Sequence, residues 1–353
     1  MWVSLFKEMP MKAVYDPSQA RHNPQFFLVK GRQLASTEQP ERAIRLLEGL
    51  KQSTIDVVEP ENFGRSPLEA IHTQRYLRFL QSAHPQWQEL PNASDEVVAN
   101  IHPIHQPANY PESIVGRAGW HMADTACPLG PNTWEAACCS ANTALTATQM
   151  VLDGARFSYA LCRPPGHHAY ADVAGGFCFL NNVAIAAQHA LADHPRVAIL
   201  DIDVHHGNGT QGIFYQRSDV LTVSIHADPN QFYPFFWGHA AETGAGAGEG
   251  CNLNLPLPLM SGDDIFLQAL QKAGQALSEF KPGLLLIALG LDASETDPLR
   301  GLSVTTQGFH AIGQAIAGFE LPTVFVQEGG YLSDILSDNL SAVLSGAQAG
   351  ESQ

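Results

Sequence analysis

The chain lacks the features that mark membrane proteins, secreted proteins and nucleic-acid-binding proteins. No apolar run approaches the about 20 residues that cross a bilayer, and the opening residues contain no signal-peptide cleavage site. The six cysteines form no CxxC pair and are too few to act as a disulfide framework. Lysine and arginine total 19 against 35 acidic residues, so a basic face for phosphate binding is not expected. These absences predict a cytoplasmic protein with no membrane partner and no nucleic-acid partner.

The composition favours one large, well-packed core. Hydrophobic residues make up 45% of the 353 residues and charged residues 15%, as in globular domains. The net charge of −16 fits either solubility alone or an attraction for cationic substrates. Strand-like segments alternate with helix-like segments along the second half of the chain; the predicted strands are 158–162, 197–202, 220–225, 284–290 and 322–328. This alternation predicts an α/β protein whose parallel sheet is covered by helices on both faces.

No linker divides the chain into two cores, so we predict one domain over residues 11–346, closed by a helix near 333–346. Residues 1–10 are predicted to be a disordered extension and residues 347–353 a disordered tail. The segment 85–118 contains five prolines and little periodicity. A loop of that length is usually functional or part of an interface.

The stretch VAILDIDVHHGNG, residues 197–209, organises the rest of the chain. It begins as an apolar strand and turns abruptly polar at its end. Side chains two positions apart on an extended chain point to the same side, so Asp201, Asp203 and His205 are able to converge. Open α/β sheets place their ligand sites at the carboxyl ends of strands. The pattern predicts a metal site.

Three other predicted strand ends carry polar residues. Two histidines follow a rigid turn in RPPGHHA, an aspartate follows the strand in ALGLDASETDP, and a tyrosine ends QEGGY; these are His167, His168, Asp292 and Tyr331. Parallel strands end at the same edge of a sheet, so we expect these side chains to meet the aspartates of the central stretch.

The residue types suggest metal-assisted hydrolysis of an amide. Asp203, His205 and Asp292 would hold one divalent ion and leave room for water and a substrate carbonyl. Zinc lowers the pKa of bound water to about 7 and polarises a carbonyl group. One histidine of the pair would accept the proton of the water, and the other would donate to the leaving amine. The phenol of Tyr331 would hydrogen-bond the developing oxyanion, and Asp201 would orient one imidazole.

The motifs quoted above, together with the segment GGFCFLNN, resemble the histone deacetylase superfamily. PNTWEAA, SIHADP and AETGAGAGEG are most similar to its bacterial branch of acetylpolyamine amidohydrolases. The resemblance implies a single-domain arginase/deacetylase fold, with a central parallel sheet of about eight strands flanked by helices. It also implies one Zn²⁺ per chain, with Fe²⁺ or Co²⁺ as substitutes, bound by Asp203, His205 and Asp292.

Matching positions assign roles to the tandem histidines and their partners. Asp201 stands behind His167, and Asn208 stands where some members of the family have an aspartate behind His168. A neutral amide leaves His168 more readily deprotonated than a carboxylate would. The resemblance therefore favours His168 as the main proton shuttle, with His167 as electrostatic support.

The resemblance also implies a narrow tunnel for an acylated aliphatic chain, lined by Gly176, Phe177 and Tyr233. Leu299 stands where some polyamine-selective members carry a glutamate. Positions near Val115 and Ala126, which are acidic in known polyamine deacetylases, are apolar here, and residues 24–26 at the entrance read Pro-Gln-Phe. These departures weaken a polyamine assignment without affecting the hydrolytic residues.

Two further expectations come from the family alone. A structural K⁺ would bind backbone carbonyls near Asp201, Asp203 and His205, together with Ser224 and Ile225. The segment 85–118 resembles an insertion that helps to form a homodimer and narrows the entrance.

The sequence thus predicts a zinc-dependent amidohydrolase acting on acetyl or small acyl amides of polyamines, lysine side chains or other small amines. Other compact amides, xenobiotic or aryl, remain an alternative. A two-metal ureohydrolase is disfavoured because Gly207 and Ser294 occupy positions where that chemistry needs acids. A non-catalytic acyl-ligand binder is disfavoured because every reactive residue is present.

Overall fold

The computed structural model describes residues 9–103 and 109–349. Its strands are β1 Lys12–Val14, β2 Phe26–Val29, β3 Arg32–Ala35, β4 Asp56–Val58, β5 Phe157–Ala160, β6 Val197–Asp201, β7 Val220–Ala227, β8 Asn252–Leu257, β9 Leu284–Leu289 and β10 Thr323–Gln327. Its α-helices are α1 Glu41–Gln52, α2 Ser66–Glu69, α3 Gln74–Gln88, α4 Ile114–His121, α5 Thr133–Leu152, α6 Asn182–Ala190, α7 Asn208–Phe214, α8 Asp263–Phe280, α9 Thr306–Ala317 and α10 Leu336–Ala349.

Eight of the strands form one parallel sheet in the order β4-β1-β5-β10-β9-β6-β7-β8, and β2 pairs with β3 as a separate antiparallel hairpin. Strands β1, β4 and β5 lie on one side of the central pair β9 and β10, and β6, β7 and β8 lie on the other, as in doubly wound sheets. The predicted eight-stranded parallel sheet flanked by helices is confirmed. Within the described ranges, no helix combines the length and apolarity needed to span a membrane.

The central strands are buried on both faces. In β6, Val197 and Ile199 pack into one apolar layer, while Ala198 and Leu200 pack into the other, following the two-residue period of a strand. Helices α3, α5 and α6 cover the first layer, and α1, α8, α9 and α10 cover the second. This two-sided burial explains why the strands are continuous apolar runs in the sequence.

The elements predicted in the second half of the chain match the structure within a few residues, but α7, β8 and α9 were not predicted and the predicted start of the C-terminal tail is wrong. The tail was predicted to begin at residue 347, but α10 continues to Ala349. Ala347 is fully buried, and Gly346 lies so close to the backbone of His310 that a Cβ would collide with it. This packing against α9 holds the last turn of the helix. Residues 350–353 lie outside the described part of the chain.

The apolar pattern over 66–84 predicts one helix, but the structure divides this segment into α2 and α3. Helix α2 ends at Glu69 and α3 begins at Gln74, because Thr73 is extended and its hydroxyl accepts a hydrogen bond from the Tyr76 N–H. The segment 85–118 is helical at both ends, through α3 and α4, and Val97 pairs with Leu129 in an isolated bridge between them. Of the predicted N-terminal extension, only exposed residues 9 and 10 are described.

Candidate active site

Four adjacent strands at the centre of the sheet each supply one of the motifs. In the order β5, β10, β9 and β6, their carboxyl ends lead into RPPGHHA, EGGY, LGLDASETDP and DIDVHHGNG. All four strands are parallel, so these segments emerge at one edge of the sheet. The sequence-predicted reactive residues are therefore brought together by the strand order.

Asp203, His205 and Asp292 form a compact donor set. His205 Nδ1 lies 3.0 Å from Asp203 Oδ1 and 3.1 Å from Asp292 Oδ2, and one donor atom from each residue lies within 4.8 Å of the others. Both aspartates are fully buried. A Cβ on Gly329 would collide with carboxylate oxygens of both, so a glycine is needed to leave them room. Two carboxylates and an imidazole are suitable ligands for Zn²⁺.

Burial and mutual contact shift the pKa values of this donor set. Burial and the adjacent Asp203 raise the pKa of Asp292 to about 6. Burial alone would lower the pKa of His205, but its contacts with Asp203 and Asp292 raise it to about 9. Two carboxylates forced together without water repel each other, and a divalent ion would neutralise their charge. The residues therefore fit the metal implied by the sequence.

The tandem histidines have partners of different charge. His167 Nδ1 lies 2.8 Å from a carboxylate oxygen of Asp201, and His168 Nδ1 lies 2.6 Å from the amide oxygen of Asn208. Burial opposes a charge on His167, but Asp201 and Asp203 raise its pKa well above 6.5. Burial and the positive charge of His167 lower the pKa of His168 well below 6.5. The geometry therefore favours a charged His167 beside a neutral His168.

A small aromatic cluster forms a slot in front of the donor set. Phe177 lies with its ring centroid 5.7 Å from that of Tyr331 and 5.6 Å from that of Phe27. Leu299 and Ala126 pack against this cluster, as expected for residues near the entrance. No described residue hydrogen-bonds the hydroxyl of Tyr331, whose ring is buried. That hydroxyl is available to a substrate oxygen.

Tyr233 forms a second wall of the slot. Its ring meets His168 edge-on with centroids 5.0 Å apart, and its hydroxyl donates a 2.6 Å hydrogen bond to Asp124. Gly176 also donates its N–H to Asp124, at 3.2 Å. Gly176 has a φ of +51°, and a Cβ there would collide with the ring of His168. Asp124 thus fixes two of the predicted tunnel residues.

Sequence reasoning missed several residues that hold the reactive groups. Glu328 accepts hydrogen bonds from the N–H groups of Gly166 and His167, and Asp297 accepts one from the N–H of Tyr331. Both acids lie inside motifs quoted in the sequence analysis, so their place in those motifs could have identified them as part of the site. Phe27 gave no such signal, because it lies in strand β2, outside every quoted motif.

Arg42 gave no signal either, since it lies in α1, far from the motifs in sequence. It donates hydrogen bonds of 2.6 Å to the carbonyl oxygens of Glu328 and Gly330, and its guanidinium lies 4.8 Å from the ring centroid of Tyr331. It is completely buried and pairs with Glu38, which also pairs with Arg163. This ion network fixes the turn that carries Tyr331.

One predicted entrance residue lies elsewhere. Val115 is in α4 and packs against the core layer that contains α3, α5 and α6, not against the aromatic slot.

The predicted potassium-site residues are close together. Asp201 and Ser224 are direct partners in the β6–β7 ladder, and both line a cavity of about 10 Å³. Asp203 and His205 follow β6 directly, and Ile225 follows Ser224 in β7. A cavity of that size accommodates roughly one water-sized species.

The histone deacetylase domain family matches residues 36–347 of the chain. An acetylpolyamine amidohydrolase of Burkholderia pseudomallei is 46% identical over 337 residues, which cover 95% of this chain and 98% of the relative. The chain belongs to the histone deacetylase family. It is therefore an amidohydrolase that acts on amide bonds other than peptide bonds.

Further comparisons agree with this membership. Acetylpolyamine amidohydrolase 1 of Pseudomonas aeruginosa is 42% identical over 341 residues, covering 95% of this chain and 98% of the relative. A crystal structure of the Burkholderia pseudomallei acetylpolyamine aminohydrolase superposes with a TM-score of 0.94 at 45% identity, covering 97% of this chain and 99% of that one. The resemblance to the acetylpolyamine amidohydrolase branch is confirmed.

Proposed function

We propose that this member of the histone deacetylase family is a zinc-dependent deacetylase that removes acetyl or similarly small acyl groups from polyamines or other small amines. The observation that carries the proposal is the convergence of Asp203, His205 and Asp292 behind an aromatic slot that also presents Tyr331. The names of the relatives support a polyamine as the amine. The net charge of −16 favours approach of a cationic substrate.

Asp203, His205 and Asp292 would hold the single metal ion. A bound zinc ion supplies two kinds of chemistry, polarisation of the substrate carbonyl and acidification of water. A second ion of the ureohydrolase kind, bridged to the first, is not supported by the described residues around this donor set. Gly207 has no space for a side chain beside Asp201, and Ser294 accepts a hydrogen bond from Asn339.

His168 would remove a proton from the attacking water and return one to the leaving amine. Burial and the positive charge of His167 lower the pKa of His168 and keep it deprotonated near neutral pH, as a general base requires, and its partner Asn208 carries no negative charge to oppose them. His167, held in its charged form by Asp201, would stabilise negative charge that develops on the substrate. The hydroxyl of Tyr331 would donate a hydrogen bond to the carbonyl oxygen as it becomes an oxyanion.

The slot between Phe177 and Tyr233 would hold a thin aliphatic chain and exclude water from it. Apolar Leu299 and Ala126 near Phe27 offer no charge to a distant ammonium group. This observation favours a second candidate, hydrolysis of compact neutral amides, including aryl amides.

We further propose a structural K⁺ beside Asp201 and Ser224, supported by the small cavity there, and a homodimer formed with the help of the segment 85–118. All six cysteines are free, which suits action in the reducing cytoplasm.

A competitive substrate panel separates the two candidate functions. The zinc-loaded enzyme would be given acetylputrescine, acetylspermidine, acetylcadaverine, an acetyl-lysine peptide and a neutral anilide, ranked by kcat/KM. We expect the acetylated polyamines to rank first. Preference for the anilide would favour the compact-amide function, and no turnover of any substrate by metal-loaded protein would refute both.

A further inference from the structure

A cleft between α3 and α4 lies outside the candidate active site. Its volume is about 470 Å³, a size typical of small-molecule sites. Three arginines line it, Arg75, Arg78 and Arg117, although basic residues are outnumbered 19 to 35 by acidic ones in the chain. The cleft is therefore a locally positive region on a protein that is acidic as a whole.

One face of α3 supplies a row of polar side chains to this cleft. Arg75, Arg78, Ser82 and Gln86 are three or four residues apart and line the same cavity, as expected for neighbours on a helix face. Arg117 reaches the cleft from α4, where its Nη1 donates a 3.4 Å hydrogen bond to Gln86. Both helices thus direct hydrogen-bond donors into one space.

Tyr110 organises two of the arginines. The Cζ atoms of Arg75 and Arg117 lie 4.5 Å and 5.7 Å from the centroid of its ring, and Arg117 Nε donates to the carbonyl oxygen of Pro111. The hydroxyl of Tyr110 lies 3.1 Å from His121 Nε2. The tyrosine is therefore anchored, and two like charges are held over the same ring.

No carboxylate neutralises these arginines in the described part of the chain. The ion pairs there involve other arginines, namely Arg21, Arg42, Arg45, Arg65, Arg163 and Arg217. Guanidinium groups present several N–H donors in one plane and bind phosphate or carboxylate in pairs of hydrogen bonds. Three such groups without an acidic partner call for an anion of more than one charge.

We propose that this cleft binds a small polyanion that carries at least two phosphate or carboxylate groups. The cleft is separate from the residues of the proposed amide hydrolysis, so the proposal does not depend on that function. Gln86, Tyr110 and Arg117 belong to the segment 85–118, so the proposal requires that the homodimer contact leaves the cleft open.

The test is isothermal titration calorimetry of the full-length chain at constant ionic strength. Tripolyphosphate serves as the phosphate probe and citrate as the carboxylate probe. We expect saturable 1:1 binding of at least one probe. The double variant Arg75→Gln/Arg78→Gln should raise its Kd by at least about tenfold, because charge-assisted hydrogen bonds are lost. Arg45→Gln, which removes an exposed, ion-paired arginine of α1, should leave the Kd unchanged.

Several outcomes would overturn the proposal. The first is no saturable binding of either probe. The second is an equal Kd in the wild type and the double variant, as expected if a probe coordinates metal at the proposed centre. The third is a change in oligomeric state without a change in probe binding. If light scattering gives the double variant a different molar mass while its Kd for the probe equals that of the wild type, the cleft is a contact between copies of the chain. The replaced side chains of α3 are exposed, so thermal melting is expected to show that both variants remain folded.

Discussion

The neutral partner of His168 is the feature of the site whose effect is easiest to isolate. Asn208→Asp replaces an amide oxygen 2.6 Å from His168 Nδ1 by a carboxylate of nearly the same shape. Two unit charges about 4 Å apart interact by about 4 kcal/mol at an effective dielectric constant of 20. One pKa unit corresponds to about 1.4 kcal/mol, so this interaction would raise the pKa of His168 by at most about 3 units. The cost of burying the new carboxylate offsets part of this interaction energy. We therefore expect the pKa of His168 to rise by about 1 to 3 units.

The direction of the effect on activity follows from the proposed role. His168 acts as a base only when neutral, so kcat/KM falls on the acid side as the pH drops below its pKa. A raised pKa moves that acid limb to higher pH by the same amount. The assay is a pH profile of kcat/KM for one good substrate of the panel, with metal content measured for each preparation.

The matched control is Asn62→Asp. Asn62 is exposed, and its side-chain oxygen accepts a hydrogen bond from the Gly64 N–H, which an aspartate preserves. This variant adds the same charge away from the histidines and should leave the acid limb unmoved. An acid limb of Asn208→Asp that coincides with the wild type, at equal metal content, would refute the assignment of His168 as the base.

Three further predictions test the other parts of the site. Tyr331→Phe should lower kcat by about 10² or more by removing an oxyanion donor, with near-normal KM; near-normal kcat would exclude that role. Asp292→Asn should lose bound zinc in elemental analysis because a charged ligand is replaced, whereas Asp297→Asn should retain it; equal zinc in both would contradict the donor set. Arg42→Met should lower the free energy of unfolding by about 3 kcal/mol, because it removes a buried partner of Glu38, and an unchanged denaturant midpoint would argue against the ion network.

The sequence predicted the central strands well because they are buried on both faces. A strand such as β9, Leu284–Leu289, contains only apolar residues, so its pattern does not depend on its neighbours. Short edge strands were not predicted. Strand β4, Asp56–Val58, has no buried residue, and β8, Asn252–Leu257, mixes buried asparagines with half-buried apolar residues. Such strands owe their conformation to pairing with the rest of the sheet.

The types and spacings of Asp203, His205, His167 and His168 were enough to predict the reactive residues without a structure. How these residues are supported depends instead on contacts between distant elements. The strand order places four distant motifs side by side, and Arg42 reaches Tyr331 from a helix nearly 300 residues earlier in the chain. Contacts of that kind arise from packing between elements, which no local pattern of residues encodes.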